Sequence, residues 1–233
     1  FGAALAIVLG IEAFGEWPIA LLAFAGGRGA TMLVYAFSRA GGHTEVVTLL
    51  LTGVAVNAFA GAGLSFLLFA AGNSSREQIV FWQLGSLSGS MWREAAIVAV
   101  VAVAGTLVAL LLGRQYDLLA LGERNARHLG VDVEKLRLWS IVLVALLTGV
   151  GVAFVGIISF VGLVIPHLMR MIIGPTHRPL IVSSAVGGAL LIVLADLLAR
   201  SVVQGAGLLT SIIGGPFFFY LLWRQRLASG GWA

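Results

Sequence analysis

The sequence has no cysteine and a single lysine, Lys135. No disulfide, thiolate metal site or cysteine nucleophile can be built from it. Charge is scarce: Asp, Glu, Lys and Arg make up 10 % of 233 residues, against roughly 25 % in a soluble domain. No GxxxxGK[ST] loop is present, so the chain cannot cradle a nucleotide by itself. There is no HExxH and no acid-rich cluster suited to calcium. The four histidines are His43, His128, His167 and His177. They show no spacing that would converge on zinc with a general base. Ser159 and His167 are formally available for an intramembrane hydrolase, but nothing in the sequence pairs them.

What fills the chain is apolar. The set AVILMFWYC makes up 60 %, and 31 glycines come on top of that. A soluble domain holds roughly 45–50 % with glycine included. Mean hydropathy is +1.05. This excludes a soluble domain, a disordered chain and a nucleic-acid binder; lipid is the solvent. The chain begins at Phe1, inside an apolar run with no basic stretch before it. That reads as the interior of a longer protein and not as a signal peptide.

A spanning helix needs about 20 mostly apolar residues. Apolar runs fall at 1–11, 18–38, 45–71, 94–113, 138–158, 159–173, 180–200 and 208–223. The stretch 138–173 is too long for one span and is divided near Ser159. The expected fold is thus all-α, a polytopic bundle of about eight helices. Strict alternation, the mark of a β-barrel, is missing.

Charge orients the spans. Arg39, Arg114, Arg124, Arg127, Lys135, Arg137, Arg170, Arg178, Arg224 and Arg226 fall on one side, and Arg76, Arg93 and Arg200 on the other. The first side is expected to be cytoplasmic, and the C-terminus with it. Loop 73–93 then lies outside, with Trp82 and Trp92 suited to the interfacial belt. Loop 114–137 lies inside and is the longest polar stretch. Its core, 118–129, mixes Leu118, Leu121, Ala126 and Leu129 with charges, as a short amphipathic surface helix would. It could anchor the loop or dock a cytoplasmic partner.

Within the spans, small residues recur at Gly53, Gly61, Gly63, Gly149, Gly151, Gly187 and Gly188. They permit close helix approach where lipid supplies no hydrophobic drive. Thr52 and Asn57 are expected to hydrogen-bond internally. Two ionisable groups lie well inside: Arg28, and Asp196 one turn from Arg200 on the same helix face. The lack of a mid-membrane carboxylate cluster speaks against ion coupling and for an external energy source.

The stretch GIISFVGLVIPHLMRMIIGPTHRPLIVSSAVGGALLIVLADLLAR (156–200) resembles permeases of the FecCD type. These are membrane subunits of ATP-binding-cassette importers for iron-siderophores, haem and cobalamin. LALGERNARHLG (119–130) is similar to the family's cytoplasmic coupling segment, and FWQLGSLSG (81–89) to its outer loop. LLLTGVAVN (49–57) resembles the start of its fifth helix, and LLTSIIGGPFFFYLLWR (208–224) its last.

The resemblance implies the type II importer permease fold, with ten helices of which eight are present. Residues 1–233 would form a single transmembrane permease domain lacking its N-terminal helices, with 114–137 as the coupling loop. It implies a second permease subunit, identical or a sister, two cytoplasmic ATPase subunits that bind the ATP, and an extracytoplasmic binding protein. The setting would be the bacterial inner membrane, with no cofactor or catalysis in this chain. Residues 118–130 would form a pair of short coupling helices seated in the ATPase. There Leu121, Gly122, Ala126, Leu129 and Gly130 would match the family pattern best, Leu118 would open the coupling segment, Gly122 and Gly130 would make turns, and Arg124 and Arg127 would face the partner. Arg200 would meet a glutamate of the binding protein, unless it only snorkels to the headgroups. His43 and Thr44 would open the helix that closes the cytoplasmic end of the pathway; Thr44 would also serve as an ordinary N-cap. An ion-coupled secondary carrier, needing no ATPase, is the alternative. The cargo is not named by the sequence.

Overall fold

In lipid every backbone N–H and C=O must find a partner within the protein, and runs of about 20 apolar residues do this as helices. The computed structural model describes residues 1–11, 17–40, 43–44, 46–202, 212 and 214–216; at 39, 40, 43, 44, 46 and 200–202 only the backbone is described. The elements are α1 (Gly2–Val8), α2 (Trp17–Phe37), β1 (Arg39–Ala40), β2 (His43–Thr44), α3 (Val46–Ala70), α4 (Asn73–Leu84), α5 (Trp92–Leu119), α6 (Glu123–His128), α7 (Val133–Val155), α8 (Val161–Ile173) and α9 (His177–Val202). Five of them, α2, α3, α5, α7 and α9, are long and apolar enough to cross a membrane. The two strands form a two-residue antiparallel ladder, Arg39 opposite Thr44 and Ala40 opposite His43.

The chain groups into two compact units, 1–81 with 90–154, and 82–89 with 155–233. In the first unit, helices close on small residues. The Cα of Gly2 lies 3.3 Å from where a β-carbon on Gly26 would stand, so α1 and α2 touch backbone to backbone. A β-carbon on Gly105 of α5 would meet Leu147 of α7 at 2.5 Å, and one on Gly149 of α7 would meet Phe24 of α2 at 3.0 Å. Gly63 of α3 is packed by the Phe1 ring. Gly53, Gly61 and Gly151 face open space instead. Thr52 returns its hydroxyl proton to the Thr48 carbonyl at 2.7 Å, within its own helix.

At one end of this unit, Trp17 (α2) meets Phe154 (α7) edge-to-face, with centroids 5.9 Å apart. The Arg93 guanidinium (α5) lies 4.8 Å from the Trp17 centroid. This cation–π stack ties three helix ends together. Loop 73–93 is not simply a loop. Residues 73–84 form α4, whose Ile79 is buried. Arg76 donates from Nε to the Leu68 carbonyl at 2.9 Å and from Nη2 to the Ala71 carbonyl at 3.1 Å. It thereby serves carbonyls at the end of α3 that have no helical partner.

In the second unit the segment 156–160 is non-helical, so the division near Ser159 stands. Gly156 (φ 73°) and Phe160 (φ 66°) are both left-handed. Ser86 N–H donates to the Val155 carbonyl at 2.9 Å, joining the 82–89 strap to this break. Helix α8 has 13 residues, about 20 Å at 1.5 Å per residue, too short for a full span. It packs on α9 through Gly187, whose β-carbon would lie 3.2 Å from Ile165. The expected last span, 208–223, lies almost wholly outside the described residues.

Candidate functional site

The polar stretch 114–137 is mostly helical, a correction to its reading as a loop. Helix α5 runs on to Leu119 and α7 begins at Val133. Hydropathy marks where the lipid ends, and helix formers such as Arg114, Gln115, Glu134 and Lys135 carry the helices beyond that line. What lies between is 120–132, with one short helix, α6, where a pair was expected.

Two glycines set its ends. Gly122 (φ 101°) is the N-cap. At the other end Leu129 is the C-cap and Gly130 (φ 85°) follows it. Gly130 N–H donates to the Arg127 carbonyl and Val131 N–H to the Ala126 carbonyl, each at 3.0 Å. These are the two bonds of a Schellman motif, and they need a left-handed residue at Gly130. The expected turns at Gly122 and Gly130 are where the sequence placed them.

The helix has an inner and an outer side. Ala126 is fully buried in a cluster with Val131, Val133 and Leu136, against Leu112, Tyr116, Leu118 and Leu119. Tyr116 and Ser140 hydroxyls bond at 2.8 Å beneath it. Arg124, Arg127 and His128 are exposed, and so are two large apolar residues, Leu121 (61 %) and Leu129 (58 %). Of the residues singled out, Leu118 and Ala126 thus belong to the internal cluster. Leu121, Gly122, Arg124, Arg127, Leu129 and Gly130 form the open face.

Ion pairs among the described residues brace this segment, three at helical i,i+3 or i,i+4 spacing and one, Glu123 with Arg137, that sequence spacing does not announce. Glu123 pairs with Arg127 at 3.7 Å and with Arg137 of α7. Arg137 also reaches Glu134 at 3.5 Å. At the start of α7, Asp132 accepts from the Lys135 N–H at 3.1 Å and pairs with its ammonium at 2.9 Å. The hydrogen bond from the Lys135 ammonium, followed by the one from its backbone N–H, holds the Asp132 carboxyl below its usual range.

His43 and Thr44 sit in β2, ahead of α3 and not at its first turn, so Thr44 is not the residue next to Val46. Their side chains lie outside the described residues. Arg200 is on α9, and its side chain, with the expected pairing to Asp196, also lies outside them. A cavity of about 430 Å³ opens between α2, α3 and α7, lined by Thr31, Tyr35, Gly53, Asn57, Ala145 and Thr148 among others. Beside it, Arg28 lines a cavity of about 250 Å³ with Phe24, Met32, Val142 and Leu146. Among the described residues no three His, Asp or Glu come together as metal ligands.

The model of the FecCD transport family matches residues 1–224. The chain belongs to this family. Among its relatives, the hemin transport system permease protein HmuU of Yersinia pestis is 40 % identical over 90 % of the chain and 64 % of its own length. The cobalamin import system permease protein BtuC of Halobacterium salinarum is 40 % identical over 97 % of the chain and 60 % of its length. The Fe(3+) dicitrate transport system permease protein FecD of Escherichia coli is 41 % identical over 88 % of the chain and 65 % of its length. The chain therefore spans less than two thirds of these relatives. A solved metal-chelate type ABC transporter in an inward-facing conformation superposes with a TM-score of 0.86 at 32 % identity, over 96 % of the chain and 71 % of that structure.

Proposed function

We propose that this chain is a transmembrane permease subunit of an ATP-driven importer, lining the path for an iron chelate (siderophore or haem) or cobalamin. The observation that carries the reading is the family match along nearly the whole chain, with relatives named as permeases for hemin, cobalamin and ferric dicitrate. The exposed face of α6 suits it: a chain without a nucleotide loop needs a surface through which a separate ATPase can act.

On this reading 1–233 works as one permease domain beside a second permease subunit, with two ATPases in the cytoplasm and a binding protein outside. ATP belongs to the ATPases, and this chain is not itself an enzyme. Leu121, Gly122, Arg124, Arg127, Leu129 and Gly130 form the ATPase contact, with Leu118 and Ala126 supporting it from within. His43 and Thr44 stand at the cytoplasmic mouth, and Arg200 meets the binding protein. The protein sits in the bacterial inner membrane with its C-terminus inside, an orientation supported by the excess of basic residues on that side.

The test is co-expression of the full-length permease with the ATPase encoded beside it. Co-purification, and hemin, ferric citrate or cobalamin uptake into proteoliposomes that requires ATP and a binding protein, would bear the reading out. Uptake driven by a proton or sodium gradient without any ATPase would replace it with a secondary carrier.

A further inference from the structure

Helix α6 is joined to its neighbours through glycines in left-handed backbone, Gly122 on the α5 side and Gly130 on the α7 side. A β-carbon at either would meet nothing within 4 Å. These links are not wedged by neighbouring groups, so the lean of α6 depends on what its side chains grip. On its buried side the grip is one small methyl, Ala126. Apolar contact of that size does little to fix an angle. The directional grip is Arg137, fourteen residues from Glu123 in sequence, which extends from α7 to the Glu123 carboxylate in the first turn of α6. Its second arm goes to Glu134, one turn back on its own helix. The Arg137 side chain is 16 % exposed and the Glu123 side chain 46 %, so the pair is shielded from water on the arginine side and open on the carboxylate side.

We propose that Arg137 is a positioning residue: through Glu123 it locks α6 to α7, so that a push on the exposed face of α6 moves α7 as one body. The inference rests on the permease reading for the source of the push, but the lock itself does not. A planar, forked guanidinium suits this role, because it can serve two carboxylates at a fixed angle. Glu134 sets the fork on α7, and Glu123 receives it from α6. Arg127, on the next turn of α6, holds the same Glu123 carboxylate from the other side.

The test uses the full-length permease in nanodiscs, alone and bound to its ATPase. The 233 residues carry no cysteine to remove, so spin labels go on cysteines at His128, an exposed residue of α6 outside the proposed ATPase contact, and at Trp139, an exposed residue of α7. The wild type should give one narrow distance peak, unshifted by ATP with vanadate. Arg137→Met and Glu123→Gln should lose the narrow peak. Arg137→Lys, which keeps a cation within reach of Glu123, should restore most of it. Glu134→Gln removes only the partner on the same helix and should leave the peak. Network residues of this kind alter coupling by about two- to thirtyfold, and the cargo moved per ATP should fall within that range in the first two variants.

A narrow peak in Arg137→Met overturns the proposal. So does a peak lost equally in Glu134→Gln, which would make Arg137 a local brace of α7. Unchanged melting temperatures across the set separate a lost lock from a lost fold. If the ATPase fails to bind the wild type, the permease reading falls, and the peak in permease alone still decides the lock.

Discussion

A side chain on Gly156 would run into the carbonyl oxygen of Trp82. The two lie where the 82–89 strap crosses the break after α7, and the Cα of Gly85 stands only 3.1 Å from the same point. Gly156 also has φ 73°. An alanine there meets both a steric overlap and a left-handed backbone, which alone costs about 1–3 kcal/mol. Gly156→Ala should lower the melting temperature in detergent clearly. Gly151→Ala, inside α7 and facing open space, should raise it or leave it, since alanine gains about 0.5–1 kcal/mol over glycine in a helix. Equal melting of the two variants would contradict this account of the crossing.

Arg28 is the twelfth of 21 residues in α2, about 13–17 Å of helix from either end. A guanidinium so placed cannot easily reach both headgroups and water. Among the described residues it has no hydrogen bond or ion pair. Centrally placed arginine costs about 2.5–3.5 kcal/mol on insertion scales, and leucine gains a few tenths. Arg28→Leu should therefore shift insertion of the isolated α2 segment by about 3 kcal/mol, read by glycosylation mapping in microsomes. Equal insertion of both segments would place Arg28 nearer an interface than its position in α2 indicates.

The spans were legible because lipid imposes one rule on every residue of a run, and composition alone records it. The break near Ser159 was legible because the run was too long for one crossing. Helix ends were not: Arg114–Gln115 and Glu134–Lys135 look like loop by hydropathy and are helix by propensity. Helix α4 was missed for a related reason. Its sequence NSSREQIVFWQL is polar overall, and only the folded chain shows Ile79 buried and Arg76 turned back onto the carbonyls of α3. The turns at Gly122 and Gly130 could be read, since few residues but glycine take that backbone. The Arg137–Glu123 pair could not, because it depends on how α6 folds back against α7 across fourteen residues.

Asp132 gives a pH signature. Its folded carboxyl titrates below the ordinary value through its bonds to Lys135. A depressed carboxyl adds stability above its unfolded pKa and loses it as the pH falls through the folded one. Wild type should thus melt above Asp132→Asn at neutral pH, and the gap should close in acid, below the usual carboxylate range. The site is open to water, so the gap should be small and should shrink with salt. A gap that widens in acid would reverse the sign and refute the assignment.

The two sides of α6 should respond differently to the same change. Ala126 is enclosed by Val131, Val133, Leu136 and Tyr116. A glutamate there brings an unpaired carboxylate into an apolar cluster, which costs several kcal/mol unless the segment opens. Ala126→Glu should lower the melting temperature and let the label pair at His128 and Trp139 spread. Leu121 is 61 % exposed and loses little to water when replaced. Leu121→Glu should keep the melting temperature and the narrow label peak, and on the proposed permease reading it should reduce co-purification of the ATPase, because that reading gives the leucine to a partner and not to the fold. If Leu121→Glu retains the ATPase fully, the proposed contact at Leu121 is wrong. If instead it melts as low as Ala126→Glu, Leu121 packs against the chain itself, and the outer side of α6 is not the open face described above.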